Sequence, residues 1–181
     1  MIDGTALGWL VQLLVQSEIL AGSDGRLLPS AVEPDIDHRD LVVAAVGSYG
    51  ALFLQLKGTS HLDAEKRVVT SATYLEDQIP EAPRFLYVMC LYSGEQHLLS
   101  RLWLVPSAEF NRRAYHERSK KLPGRVKLQF SCLAGGDEKW DQFELSRMEL
   151  AGKLEPMVEA LGPAQPEHLR ALAASVRSWP A

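Results

Sequence analysis

The first twenty residues carry apolar side chains at the three- and four-residue spacing of a helix. We predict a helix from Thr5 to Ala21, with Gly22 placed to end it. The positions that form its apolar face are Leu7, Leu10, Val11, Leu14 and Val15. Such a face needs a sheet or another helix to pack against, and the sequence that follows supplies strands.

Two short apolar runs come next, and each is typical of a strand. The first extends from Asp40 to Val46 and the second from Ala51 to Lys57, with the sequence Gly-Ser-Tyr-Gly between them. A connection this short predicts an antiparallel hairpin. Because most positions in both runs are apolar, we expect this sheet to be covered on both faces.

The rest of the pattern alternates between strands and helices. The strands that we predict cover residues 67–71, 84–92, 99–105 and 126–133. The helices that we predict cover residues 72–78, 107–118, 145–161 and 166–177. This order indicates one α/β domain over residues 1–181, a mixed β-sheet flanked by helices, with a C-terminal helical extension from about residue 145.

Composition narrows the class of protein without naming a function. With 46% hydrophobic and 23% charged residues, the chain has the balance of an ordinary globular domain. Its net charge of −4 argues against a protein that coats nucleic acid, so any DNA contact must come from a local patch. We expect a cytoplasmic protein without a signal peptide, a membrane-spanning stretch or a membrane partner, in which Cys90 and Cys132 are reduced and buried.

Candidate chemistry lies on the predicted hairpin. Alternation along a strand puts Gln55 and Lys57 on one face and Leu54 and Leu56 on the other. An acid at the head of the preceding strand, Asp40, can then face an amide and an ammonium group. Such a set can hold a divalent metal ion beside a phosphate, although exposed strand ends also carry these residue types for solubility alone.

This arrangement resembles the PD-(D/E)xK nuclease superfamily, in a variant with Gln before the lysine that is similar to Mrr-type and related bacterial domains. The segments that carry the resemblance are Asp40-Leu-Val-Val and Leu-Phe-Leu-Gln55-Leu-Lys57-Gly-Thr, within residues 4–110. Two later segments, 102–107 and 139–141, are similar to restriction-endonuclease-like domains. The resemblance implies a restriction-endonuclease-like fold and Mg²⁺- or Mn²⁺-dependent cleavage of DNA, in defence or repair.

The resemblance also implies roles for particular residues. Asp40 and Gln55 would be the metal ligands, and Lys57 would position the attacking water or contact the phosphate. Asp35 and Asp37 compete with Asp40 or add charge from a loop. The family's first helix commonly carries a glutamate, whereas here Gln12 is the nearest substitute.

Two other interpretations stay open at this stage. The first is a catalytically silent nuclease-fold subunit that binds nucleic acid or protein, which the missing glutamate and the acidic net charge favour. The second is an unrelated α/β interaction domain. The resemblance also implies a possible homodimer or a partner protein subunit.

A cluster of basic residues is the other candidate surface. Arg112, Arg113, Lys120 and Lys121 are its members that we predict to bind nucleic acid. Clustered cations can form a phosphate-binding ridge. The alternative is a solvated helix end, where late Lys and Arg interact favourably with the helix dipole.

Overall fold

The computed structural model describes residues 3–32, 39–47, 50–118, 123–136 and 139–161. Four of the predicted site residues lie outside the described residues: Asp35, Asp37, Lys120 and Lys121. The helix predicted over residues 166–177 lies outside them too.

The described chain forms three α-helices and nine strands. The helices are α1 (Gly4–Gly22), α2 (Ser107–Arg113) and α3 (Leu150–Glu159). The first five strands are β1 (Leu27–Ala31), β2 (Leu41–Ala45), β3 (Ala51–Thr59), β4 (Arg67–Leu75) and β5 (Phe85–Ser93). The remaining four are β6 (Leu98–Pro106), β7 (Tyr115–Arg118), β8 (Arg125–Leu133) and β9 (Glu144–Leu145).

Six strands build the main sheet in the order β1-β2-β3-β5-β6-β9. Strands β3 and β5 run parallel, and all the other neighbours are antiparallel. The predicted α/β class with a mixed sheet is therefore confirmed, as is the hairpin of β2 and β3. A parallel pair needs a crossover, and here the chain makes it through β4, which belongs to a second sheet.

The second sheet has three strands in the order β4-β8-β7, and it corrects two predicted helices. Residues 72–78 are wrong as a helix, because β4 runs unbroken from residue 67 to 75 and pairs with β8 along its whole length. Val68, Thr70, Ala72 and Tyr74 are its buried positions, a period of two that only a strand produces. The helix predicted over residues 107–118 ends at Arg113, after which β7 pairs with β8.

The main sheet is covered on both faces, as expected. Helices α1 and α3 pack on one face through a core that includes Val11, Leu54 and Leu154. The second sheet and α2 pack on the other through an aromatic core centred on Trp103, Phe130 and Trp140. The thiols of Cys90 and Cys132 are reduced and buried, which confirms the prediction for both.

The C-terminal part begins later than the sequence indicated. Residues 147–149 form a single 3₁₀ turn, and α3 starts only at Leu150. Ser146 caps the turn reciprocally with Glu149, so the chain changes direction there before the helix starts. Helix α3 then contacts α1 and β2, so the two helices lie side by side on one face of the main sheet.

Candidate functional site

The candidate site lies where β2 and β3 begin to separate. The register pairs Leu41 with Leu54, and one step further Asp40 stands level with Gln55. The backbone N–H of Asp40 still donates to the carbonyl of Leu54, at 2.9 Å. Beyond that point β3 continues to Thr59 with β5 on one side and no β2 residue on the other.

The Asp40 carboxylate closes this end of the ladder. Its Oδ2 accepts from the backbone N–H of Leu56 at 2.5 Å and from Nε2 of Gln55 at 2.6 Å. The carboxylate thus takes the place of a strand carbonyl that β2 no longer provides. Asp40 is therefore a structural residue of the hairpin as well as a candidate ligand.

Lys57 shares a cleft with Asp40. The cleft has a volume of about 210 Å³ and is lined by Thr5, Gly8, Trp9, Val11, Gln12, Asp40, Leu56, Lys57 and Gly58. Gln12 donates from Nε2 to the carbonyl oxygen of Asp40 at 3.5 Å, a long contact that ties α1 to the start of β2. The fold thus brings together Gln12, Asp40, Gln55 and Lys57, which the sequence nominated from two separate regions.

Helix α1 contributes one wall of the cleft that the sequence argument did not nominate. Thr5, Gly8 and Trp9 precede Gln12 at the spacing i, i+3, i+4 and i+7, which is a single helix face. Because Gln12 was a predicted site residue, the helix periodicity alone could have predicted that these three residues lie on the same face. Trp9 is 55% exposed, so it stands at the rim of the cleft and not in the core.

Gly58 lets α1 lie close enough to β3 to form the cleft. A Cβ at this position would stand 2.6 Å from Cγ2 of Val11, closer than carbon atoms approach in folded proteins. Val11 is buried in the core between α1 and the sheet. A glycine directly after Lys57 therefore sets the distance between the helix and the strand that carries the lysine.

The oxygen atoms of Asp40 and Gln55 are of the kind that bind Mg²⁺. Gln55 is 1% exposed, and its Oε1 has no hydrogen-bond partner, whereas its Nε2 faces Asp40. A 180° rotation of the amide would direct Oε1 toward the carboxylate, where two oxygens repel each other unless a cation lies between them. In the rotated arrangement the pair would offer two oxygen atoms to a cation, whereas in the present one it forms a hydrogen bond.

The charge around this pair is small. Within the described residues, no three His, Cys, Asp or Glu side chains gather as a metal-binding group. The one acid of α1, Glu18, lies near the other end of the helix and binds Arg147. Asp40 thus supplies the negative charge of the described site, and the half-buried Lys57 forms no ion pair with any other described residue.

The predicted basic surface is largely neutralised by acids in its described part. Arg112 and Arg113 both bind Glu109 on the same helix, at 2.6 Å and 2.7 Å. Their bonds hold the pKa of Glu109 below its usual range. Arg118 pairs in the same way with Glu76. These arginines lie on α2 and β7, on the side of the main sheet that faces away from α1.

No protein-family model matches the chain, and no curated protein sequence is significantly similar to it.

Proposed function

We propose that the chain has a restriction-endonuclease-like core. Support comes from the element order: a helix, then three antiparallel strands, then a strand parallel to the third. Helix α1 packs on the sheet beside the strand that carries Gln55 and Lys57. One feature departs from a sheet flanked by helices, since β4 and its sheet occupy the face where a crossover helix was predicted.

We further propose that the protein is a Mg²⁺-dependent nuclease that acts on DNA phosphodiesters. The observation that carries this proposal is the convergence of Asp40, Gln55 and Lys57 where β2 and β3 separate, beside a cleft walled by α1. Asp40 and Gln55 would hold the cation. When bound, the cation would stabilise charge on the phosphate and lower the pKa of a coordinated water.

Each side chain then has a distinct role. Asp40 supplies the negative charge that attracts the cation, and its bond to Leu56 fixes the carboxylate relative to β3. Gln55 supplies a neutral oxygen, so we expect the affinity for metal to be weaker than that of a site with two carboxylates. Lys57 offers an ammonium group to a phosphate oxygen at the cleft. Trp9 at the rim can stack on an unpaired base.

A second function, a catalytically silent subunit that binds nucleic acid or protein, is favoured by one specific observation. The Asp40 carboxylate already accepts two hydrogen bonds from β3, so it completes the hairpin without any metal ion. The same cleft could then hold a phosphate through Lys57 alone. A nuclease would bind and cleave DNA, whereas a silent subunit would bind its ligand without cleavage.

The test is a cleavage assay on single- and double-stranded DNA with Mg²⁺ and with Mn²⁺. Lys57→Ala is the informative variant, because this side chain has no ion pair to lose among the described residues. Lys153→Ala, which removes an exposed lysine of α3, is the matched control. Asp40→Asn keeps an acceptor for Leu56 while it removes the charge.

The nuclease proposal expects cutting by the wild type and by Lys153→Ala, and loss of cutting in Lys57→Ala and Asp40→Asn. No cutting with either metal, together with salt-sensitive binding that Lys57→Ala weakens, would support the silent subunit instead. Cutting that survives both site variants would contradict the assignment of the site.

A further inference from the structure

Gly8 lies in the second turn of α1 and lines the cleft, although packing does not require a glycine there. A Cβ at this position would have no described heavy atom within 4 Å, whereas a Cβ at Gly58 would clash with Val11. The φ angle of Gly8 is not among the positive ones, so backbone conformation does not demand glycine either. Glycine is nevertheless among the poorest residues for the interior of a helix. What Gly8 provides is open space on the α1 wall of the cleft.

Trp9 presents an aromatic ring beside that open space. Trp103 and Trp140 are buried in the aromatic core, whereas Trp9 is 55% exposed at the rim of the cleft. Within the described residues its indole forms no hydrogen bond and stacks on no other ring. Exposed aromatic rings along a groove are the platforms on which single strands of nucleic acid stack their bases, with little dependence on sequence.

The charge around the cleft is too small for a DNA duplex. Lys57 is the one cation among the described residues that line it, and α1 has no Lys or Arg along its whole length. Two acids, Asp3 at the start of α1 and Asp40 at the start of β2, lie at the same end of the fold. Interfaces with duplex DNA are large and strongly positive. The described arginines of the basic cluster bind acids on the far side of the main sheet.

The size of the cleft suits one nucleotide of a longer strand. Its volume of about 210 Å³ is below the roughly 300–1,000 Å³ of pockets that enclose a drug-sized ligand. A nucleotide has a flat base for Trp9 and a phosphate for Lys57, and both side chains line this one cleft. In a duplex the bases are stacked inside, so none can reach Trp9 unless it is first flipped out.

A lipid bilayer fits α1 less well than a single strand does. Helix α1 is long and apolar enough to span a bilayer, contrary to the expectation from sequence. Spanning would, however, remove its inner face, which includes Val11 and Val15, from the core of the protein. Helices that lie on a membrane surface carry Lys or Arg on their polar side, and α1 has neither.

We propose that the cleft binds single-stranded DNA, with one base stacked on Trp9 above the open space at Gly8 and the phosphate at Lys57. This assignment rests on the proposed function for the choice of DNA, and it goes further because it makes the single strand, and not the duplex, the substrate. Stacking supplies most of the affinity, since the described cleft offers one cation.

The test is the binding of a fluorescently labelled DNA strand of about 12 nucleotides, measured by anisotropy in EDTA so that no strand is cut. We expect the duplex of the same sequence to bind at least about tenfold more weakly. Trp9→Ala should weaken single-strand binding by about 5- to 150-fold, which corresponds to the loss of one stacked base, and Trp9→Phe should recover most of it. Leu20→Ala, at an exposed residue of α1 outside the cleft, should bind like the wild type.

A matched pair of glycine variants tests the open space. Gly8→Leu fills the cleft, and Gly152→Leu makes the same change in the first turn of α3, where a Cβ also meets no described atom within 4 Å. Both should raise the Tm by about 1–3 °C, because leucine favours a helix and glycine does not. Only Gly8→Leu should weaken single-strand binding, by about tenfold or more. Equal binding by the two variants would overturn the role of Gly8 and with it the placement of the base.

Salt dependence tests the contribution of Lys57. Each phosphate contact on a single strand adds a slope of about −0.7 to the logarithm of the binding constant against the logarithm of salt concentration. We expect a slope of about −1 or shallower for the wild type, and a slope shallower by about 0.7 for Lys57→Ala. A slope steeper than about −3 would mean that the strand lies on a more basic surface, and would overturn the proposal.

The outcomes separate this proposal from the nuclease activity. Single-strand binding that depends on Trp9, with no cutting in Mg²⁺ or Mn²⁺, would support the binding site and reject the nuclease. Duplex that binds as tightly as the single strand, or Trp9→Ala that binds like the wild type, would overturn the single-strand site even if the protein cuts DNA. An RNA strand of the same sequence that binds more tightly would overturn the assignment to DNA.

Discussion

Replacing Asp40 with alanine tests how much of the hairpin depends on one carboxylate. The substitution removes the acceptor from two donors, the backbone N–H of Leu56 and Nε2 of Gln55. Leu56 is 7% exposed and Gln55 is 1% exposed, so water reaches neither donor easily in the folded hairpin.

The magnitude follows from these two bonds. A buried donor that loses its partner costs about 1–3 kcal/mol, and the cleft beside Asp40 admits water to part of the site. We therefore expect Asp40→Ala to lower the free energy of unfolding by about 2–4 kcal/mol. Asp40→Asn keeps an oxygen acceptor but weakens both bonds, so we expect a loss of about 1–2 kcal/mol.

Urea denaturation followed by tryptophan fluorescence measures these losses, because Trp103 and Trp140 are buried in the core. Asp63→Ala is the matched control: Asp63 also accepts from two backbone N–H groups, those of Glu65 and Arg67, but in an exposed loop. Water can replace the lost acceptor there, so we expect a cost of about 0.5–1 kcal/mol. An Asp40→Ala protein that is no less stable than Asp63→Ala would refute the reasoning.

Three further predictions concern the rest of the fold. Gly58→Ala should destabilise the protein by about 1–3 kcal/mol, because the new methyl group would clash with Val11. In a double-mutant cycle of unfolding free energies, adding Val11→Ala should recover part of that loss. Additive losses would contradict the contact. Arg101→Lys should lower the free energy of unfolding by about 1–3 kcal/mol, because Arg101 binds the Glu144 carboxylate bidentately and also donates to two backbone carbonyls. An unchanged midpoint of urea denaturation would contradict this. Burial raises the pKa of the Cys90 thiol to about 12, and Cys132 is buried as well. A thiol reagent should therefore label neither residue at neutral pH until the protein unfolds. Fast labelling of the native chain would contradict this.

Local pattern was sufficient for the elements that bury one regular face. The four-residue spacing of Leu7, Val11 and Val15 gave α1, and its observed bounds differ little from those predicted. The branched residues around the Gly-Ser-Tyr-Gly connection gave the β2–β3 hairpin. These predictions are correct because the residues that are apolar at regular spacing in the sequence are the same residues that the core buries.

The second sheet was predicted only in part, because its pairing is not local. The strands predicted over residues 67–71 and 126–133 are confirmed as part of β4 and nearly all of β8, whereas the rest of β4 and the whole of β7 were not predicted as strands. Strand β4 contains Ala72 and runs toward Glu76, residues that favour a helix when they are considered alone. Its partner β8 begins some fifty residues later, and the pairing overrides that preference. All four residues of β7 are exposed, so the strand has no apolar alternation to reveal it.

The candidate site could also be predicted only in part from the sequence. Register places Asp40 beside Gln55 once the hairpin is known, and alternation then places Lys57. The two hydrogen bonds to Asp40 and the unpartnered Oε1 of Gln55 depend on side-chain geometry that no spacing rule contains. The contribution of Trp9 depends on how closely α1 approaches β3 at Gly58, which is a packing distance.

Calorimetric titration with Mn²⁺ tests most directly whether Asp40 and Gln55 form a cation site. We expect one site per chain in the wild type, loss of binding in Asp40→Asn, and tighter binding in Gln55→Glu, where a second carboxylate faces the first. Lys57→Ala should still bind, because the lysine has no role as a ligand. Binding that is unchanged in Asp40→Asn, or no binding even in Gln55→Glu, would contradict the account.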